Sequence, residues 1–138
     1  MKVVIDTNVL MAALLKNSIV RVILNFADVD FYIPEKGIEE VRKYSEELCL
    51  KGGFTHEEFE NLLSYNLENI RTISHEELKG YMGKAEKIIG NVDIKDAVFV
   101  AAALTISADG IWSFDNDFKK QNIIKIFDSS DFLKIEEE

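Results

Sequence analysis

Lys2-Val3-Val4-Ile5-Asp6-Thr7-Asn8-Val9-Leu10 is the stretch on which the reading of the fold turns. Lys2 to Ile5 is a short β-branched run, the composition of a buried strand, and it stops at an acid. From Asn8 to Leu15 the apolar residues recur at helical density. A strand passing directly into a helix opens an α/β fold, and the residue at the join is Asp6.

Outward from this join the same alternation repeats. Ser18 predicts the N-cap of a helix that buries Ile19, Val22, Ile23 and Phe26, and Phe31 to Ile33 before Pro34 predicts a second strand. Pro34 opens a third helix that places Ile38, Val41, Ser45 and Leu48 on one side and stops near Gly52 and Gly53. Thr55-x-x-Glu58 and Ser74-x-x-Glu77 are capping boxes, with a third strand at Ile70 to Ile73 between them. Val92 to Ile106 is apolar nearly all round after Asp96, which predicts a central helix buried between other layers. Asp109-Gly110 turns the chain into a strand at Ile111 to Phe114, and Ile123 to Phe127 predicts the last strand. The expected fold is a three-layer α/β/α domain with a central, mostly parallel sheet. It covers residues 1–133 and is followed by an acidic, solvated tail, 134–138. No internal repeat, linker or low-complexity segment interrupts it.

Composition narrows the class. Of 138 residues 47% are apolar and 30% charged, enough for one core with a soluble surface, which excludes disordered and fibrous chains. The longest uncharged run, Ala97 to Ala108, falls well short of the roughly 20 residues needed to cross a bilayer, so no membrane partner is expected. Asp6 interrupts the N-terminal apolar residues too early for a secretory signal, so a cytoplasmic location is expected. Cys49 is the only cysteine, which excludes an intrachain disulfide and a thiolate zinc site and predicts a small buried apolar residue. The net charge of −9 by itself argues against a nonspecific binder of nucleic acid.

The positions of the acids alter that conclusion. Parallel α/β sheets bind ligands beyond the carboxyl ends of their strands, and Asp6 and Asp115 each follow an expected strand at that edge. Asp93 and Asp96 lie three apart at the start of the central helix, a spacing that stacks them on one face. Glu39 and Glu40 fall early in the third helix. At about 100° per residue Glu39 lies roughly 160° from Val41 and faces solvent, whereas Glu40 lies about 100° away, at the flank of the buried face. Carboxylates gathered within about 6 Å repel one another, and a divalent cation relieves the repulsion. Mg2+ or Mn2+ suits an oxygen-only donor set, and either lowers the pKa of a bound water and neutralises phosphate charge, the chemistry of phosphodiester hydrolysis. With these acids and the glutamates of the tail set aside, the remaining surface is close to neutral, so a metal-loaded cleft can accept RNA.

Four motifs together carry a resemblance. Val4-Ile5-Asp6-Thr7-Asn8-Val9-Leu10, Glu39-Glu40-Val41, Asp93-Ile94-Lys95-Asp96-Ala97 with the Ala-rich helix after it, and Ser113-Phe114-Asp115-Asn116-Asp117-Phe118 resemble the PIN-domain ribonucleases in order and spacing. They span nearly the whole chain, and Phe114 departs from the pattern by standing where the family commonly has a small or polar residue. The resemblance implies a metal-dependent endoribonuclease acting on an RNA substrate with Mg2+ or Mn2+, often the toxin of a toxin–antitoxin pair with an antitoxin protein as partner, and often a homodimer. Residue by residue it implies Asp6, Glu40, Asp96 and Asp115 as the acidic quartet, Asp93 and Asp117 as supporting acids, and Thr7 and Asn8 flanking the metal.

Each of these residues also has a purely structural reading. Asp6 serves as a helix N-cap, Asp93 as the N-cap of the central helix with Asp96 favoured in its first turn, and Asp117 as a turn residue. His56 and His75 each follow a capping residue and read as exposed first-turn side chains rather than ligands. Lys119, Lys120 and Lys125 read equally as a surface cluster or as phosphate contacts. Against the nuclease stands a catalytically inactive PIN-like binding or scaffold module, which the retention of all four acid positions disfavours. A phospho-acceptor receiver wants an Asp directly after a mid-chain strand, and neither Ile33 nor Ile73 has one. A haloacid-dehalogenase-type phosphatase wants a carboxylate two residues after Asp6, where Asn8 stands.

Overall fold

A computed structural model of the chain describes residues 1–15, 18–90 and 94–137. Within them β1 (Lys2–Ile5), β2 (Asp30–Pro34), β3 (Ile70–Ile73), β4 (Gly110–Trp112) and β5 (Ile126–Phe127) form one sheet in the order β3-β2-β1-β4-β5. Every pairing is parallel. Helix α1 (Thr7–Ala13) follows β1 and α2 (Ile19–Phe26) leads to β2. Between β2 and β3 lie α3 (Glu35–Lys43), α4 (Ser45–Gly52) and α5 (His56–Leu67). Between β3 and β4 lie α6 (His75–Leu78), α7 (Met82–Ile89) and α8 (Ile94–Thr105), and α9 (Ser129–Glu137) follows β5.

The period of two along each strand divides the core. Val3, Ile5, Phe31, Ile33 and Trp112 point to the face covered by α1, α2, α4, α5 and α9, whereas Val4, Tyr32 and Ile111 point to the face covered by α7 and α8. Helix α8 packs its alanines on β1, β2 and β4 and turns its other side to α6 and α7, which is why its sequence is apolar nearly all round. Both capping boxes form, at Thr55 and at Ser74, and Ser18 caps α2 by accepting from the Arg21 amide.

The structure departs from the sequence reading at several elements. In α2 the buried stripe is Val20, Ile23 and Leu24, while Ile19, Val22 and Phe26 are exposed, Phe26 at 74%. The helix carries two apolar stripes about 100° apart, and periodicity alone cannot rank them. The expected third helix is two helices. Tyr44 leaves helical geometry (φ −99°, ψ 16°), yet Val41 before it and Leu48 after it reach the same core, so the apolar spacing reads as continuous across the break. Gly53 ends α4 at φ +70°, the left-handed conformation expected of it.

At the far edge β4 stops at Trp112, and β5 is only Ile126–Phe127. The Gln121 side chain accepts from the amides of Ile123 (3.0 Å) and Ile124 (2.7 Å), which holds those residues in a turn instead of the sheet ladder. Helix α9 was not anticipated, and its backbone continues into the acidic residues after 133. It contributes Phe132, whose ring lies 4.6 Å from Trp112, 5.5 Å from Phe127 and 5.6 Å from Phe31, closing this end of the core. Cys49 is half-buried rather than fully enclosed.

The Asp109-Gly110 pair predicts a turn; what requires glycine at 110 in the structure is close approach. A Cβ there would lie 2.5 Å from the Lys125 carbonyl oxygen, the acceptor that pairs with the Ile111 amide at 2.9 Å, and 2.6 Å from the Phe127 ring. Because a backbone carbonyl cannot swing aside, Gly110→Ala is expected to lower stability by about 1–3 kcal/mol, the range for overpacking. Urea denaturation followed by circular dichroism checks this, with a midpoint equal to that of the unsubstituted chain as the contrary result.

Candidate active site

The sheet order turns back at β1, which pairs with β2 on one side and β4 on the other. Their carboxyl ends diverge into a crevice, the place where open parallel sheets bind ligands. Helices return antiparallel to the strands, so the N-termini of α1, α3 and α8 all stand at this edge. Asp6 ends β1, Glu40 lies in the second turn of α3, Asp96 lies in the first turn of α8, and Asp115 follows β4 across Ser113 and Phe114. These four carboxylates line one cleft of about 240 Å³ together with Thr7, Asn8 and Lys95.

Asp6 is held most tightly. It is only 7% exposed, and its carboxylate accepts from the Thr7 amide at 2.8 Å and from Ser113 Oγ at 2.7 Å. It also occupies the N-cap position of α1, so the structural and the cleft-lining readings hold together. Burial pushes its pKa above the ordinary carboxylate value, the hydrogen bonds from Ser113 and Thr7 pull it back, and the negative charges of Asp115 and Glu40 raise it again. Thr7 Oγ donates to Glu40 Oε2 at 3.0 Å, tying the β1–α1 join to α3. Asn8 Oδ1 accepts from the Phe114 amide at 3.5 Å, so Phe114, the residue that departs from the family pattern, sits beside the cleft, 47% exposed and with its ring edge-on to Trp112.

Ser113 is the residue that the sequence reading passed over. It is buried, and its hydroxyl donates to Asp6 while its oxygen accepts from the Asp115 amide at 2.9 Å, so one side chain sets the distance between two acids. The Ser-x-Asp spacing, suited to a hydroxyl turn onto the backbone two residues on, was the available signal. Lys95, inside the Asp93-to-Ala97 motif, also lines the cleft.

The remaining acids separate. Asp115 Oδ1 accepts from the Asp117 amide at 2.9 Å, and carboxylate oxygens of Asp96, Asp115 and Asp117 lie within 4.8 Å of one another. Asp117 also pairs with Lys120 at 2.9 Å, which places it at the rim. Lys125 sits 4.7 Å over the Phe127 ring, so neither lysine stands in the cleft. Glu39 projects away, its carboxylate 3.1 Å from His75 Nε2, as the helix phase predicts. Asp93 lies outside the described residues. The four carboxylates of the cleft offer oxygen donors, one of them destabilised by burial and by its neighbours, and they fit a hard divalent cation such as Mg2+ or Mn2+.

A PIN domain family profile matches residues 4–132. The chain belongs to the PIN domain family. That family consists of nucleases, and membership accords with acids gathered at the β1/β4 crevice. The fold is similar to three solved structures. VapBC2 from Rickettsia felis bound to a DNA fragment from their promoter has 15% identity and a TM-score of 0.66, with 93% of this chain and 98% of that one covered. FitAB bound to an IR36 DNA fragment has 16% identity and a TM-score of 0.63, covering 91% and 94%. FitAcB from Neisseria gonorrhoeae has 18% identity and a TM-score of 0.58, covering 91% and 96%. No curated protein sequence matches. Among the described residues no helix is long and apolar enough to cross a membrane.

The raised pKa of Asp6 sets the sign of a pH effect. The folded, metal-free protein holds this proton to higher pH than the unfolded chain, so the contribution of Asp6 to stability is fully present below the unfolded pKa of about 3.9. It is lost as pH rises through the folded value. Melting temperatures measured across this window in EDTA are therefore expected to fall less steeply with pH for Asp6→Asn, and at neutral pH that variant is expected to melt above the unsubstituted chain. Parallel profiles for the two proteins would show the assignment of this charge to be wrong.

Proposed function

We propose that this PIN domain is a Mg2+- or Mn2+-dependent endoribonuclease, the toxin of an intracellular toxin–antitoxin pair. The observation that carries the reading is the convergence of Asp6, Glu40, Asp96 and Asp115 on one cleft at the strand switch point. When bound by these carboxylates, a divalent cation supplies a water of lowered pKa and neutralises charge on the scissile phosphate. The chain's own groups prepare the site for this. Ser113 and Thr7 fix the Asp6 oxygens, and Thr7 orients Glu40. Asp115, held through its amide by Ser113, stands across from them, and Lys95 offers a positive charge to a phosphodiester entering between the acids. Attack on the phosphodiester falls to water, since the carboxylates among the described residues of the cleft serve as ligands in this reading.

The toxin assignment rests on the likeness of fold to VapBC2 and FitAB, each of which is bound to DNA in its solved structure. A partner that silences this cleft would bring Arg or Lys to the carboxylates in place of metal, since a guanidinium meets a carboxylate pair through two parallel hydrogen bonds. Expression of the chain alone is expected to arrest growth, and co-expression with a small basic protein encoded beside it to restore it.

Cleavage of single-stranded RNA is expected to require added Mg2+ or Mn2+ and to stop in EDTA. Asp96→Asn is expected to abolish it with the fold intact. Glu40→Gln is expected to lower cleavage, and Mn2+ affinity at the cleft, at least about tenfold, equivalent to roughly 1.4 kcal/mol, while Glu39→Gln leaves cleavage nearly unchanged. RNA cleavage undiminished in Asp96→Asn, or a larger loss in Glu39→Gln than in Glu40→Gln, would overturn the assignment, and a folded, metal-binding chain that cuts no RNA would point to a binding module.

A further inference from the structure

Away from the carboxylate cleft, a different set of donors converges between α3 and α6. Glu35 and Glu39 stand one turn apart on α3, and His75 occupies the first position of α6, held there by the Ser74 capping box. His75 Nε2 lies 3.1 Å from Glu39 Oε1 and 3.5 Å from Glu35 Oε2. One ligand atom from each of the three lies within 4.8 Å of the others. A single imidazole N–H can be directed well at only one of two carboxylates. A cation among the three would instead meet a lone pair from each.

We propose that Glu35, Glu39 and His75 form a second metal site, suited to a transition cation such as Zn2+ rather than to Mg2+. The donor chemistry separates it from the cleft: imidazole nitrogen suits zinc, cobalt and nickel, whereas magnesium takes oxygen and water. None of the three residues lines the carboxylate cleft. Their side chains are between 41% and 61% exposed, so ligation entails little desolvation and water can complete the coordination shell. His75 also lines a neighbouring hollow of about 400 Å³ whose wall includes Lys36, Glu86 and Lys95 as well as Leu78, Met82 and Val98. A bound cation would pin the start of α6 to α3, the helix that also carries Glu40.

The test is a titration of the full chain with Co2+, the spectroscopic substitute for Zn2+, in excess Mg2+ so that the oxygen-only cleft is already filled. A visible absorption band of nitrogen- and oxygen-ligated Co2+ is expected, and Zn2+ is expected to bleach it. His75→Ala and Glu39→Gln are each expected to weaken this binding at least about tenfold, no less than the loss of an outer-shell partner costs. Asp96→Asn is expected to leave the band intact, which distinguishes this site from the cleft. Circular dichroism confirms that each variant is folded. No Co2+ band in the unsubstituted chain would mean that the three residues form an ion pair only, and a band undiminished in folded His75→Ala would place the metal elsewhere. Either result overturns the proposal, and neither bears on RNA cleavage.

Discussion

The burial of one carboxylate at the end of β1 organises this molecule. Asp6 sits where a strand core ends and a helix begins, and it can stay there only because a hydroxyl from the neighbouring strand and an amide from its own helix hydrogen-bond to it. An unpaired charge at that depth would cost several kcal/mol. Ser113 therefore serves two ends: it satisfies Asp6 and, by accepting from the Asp115 amide, shapes the loop after β4. Thr7 works in the same way toward α3 through Glu40. The cleft is thus bound together by the hydrogen bonds that make its central acid tolerable.

Stability and chemistry pull against each other at this edge. Burial above all, and then the charges of Asp115 and Glu40, raise the Asp6 pKa, so without a cation the ionised Asp6 carboxylate weakens the fold that encloses it. The rest of the core offsets this. Trp112, Phe31, Phe127 and Phe132 interlock under one face of the sheet, and α8 fills the other with small alanines that let it lie close to the strands. Asp96 at the start of α8 is thereby set on a rigid element instead of a loop, and a site on rigid elements keeps its ligands in fixed geometry.

Two neighbouring residues of α3 show how finely the helix divides its surroundings. Glu40 accepts from Thr7 at the cleft, and Glu39, about 100° round the axis, meets His75 on the outside. One step along the chain separates the carboxylate cleft from the contact with the His75 imidazole. The alternation is a property of the helix, but what each carboxylate meets depends on which element packs beside it.

Much of this was legible before any coordinates. Strand and helix periods, the capping boxes at Thr55 and Ser74 and the acid at the end of the first strand are local signals, since each depends on residues within a turn of one another. They settled the α/β class, and with the four motifs they pointed to the acidic cleft and to the choice of Glu40 over Glu39. One cause of misreading is that, where a segment carries apolar residues on more than one side, only its neighbour decides which side is buried. That holds for the two stripes of α2, and for the break at Tyr44, where two helices share one core. Ile123 and Ile124 look like strand, yet the Gln121 side chain takes their amides. The role of Ser113 was not legible for a related reason, because a polar side chain shows its role only when its partner, distant in sequence, is beside it. The sequence by itself determined the alternation of strands and helices and which acid follows the first strand; tertiary structure decided where several elements break or stop, which faces are covered and which distant donors meet, because burial and hydrogen bonding are properties of neighbours in space.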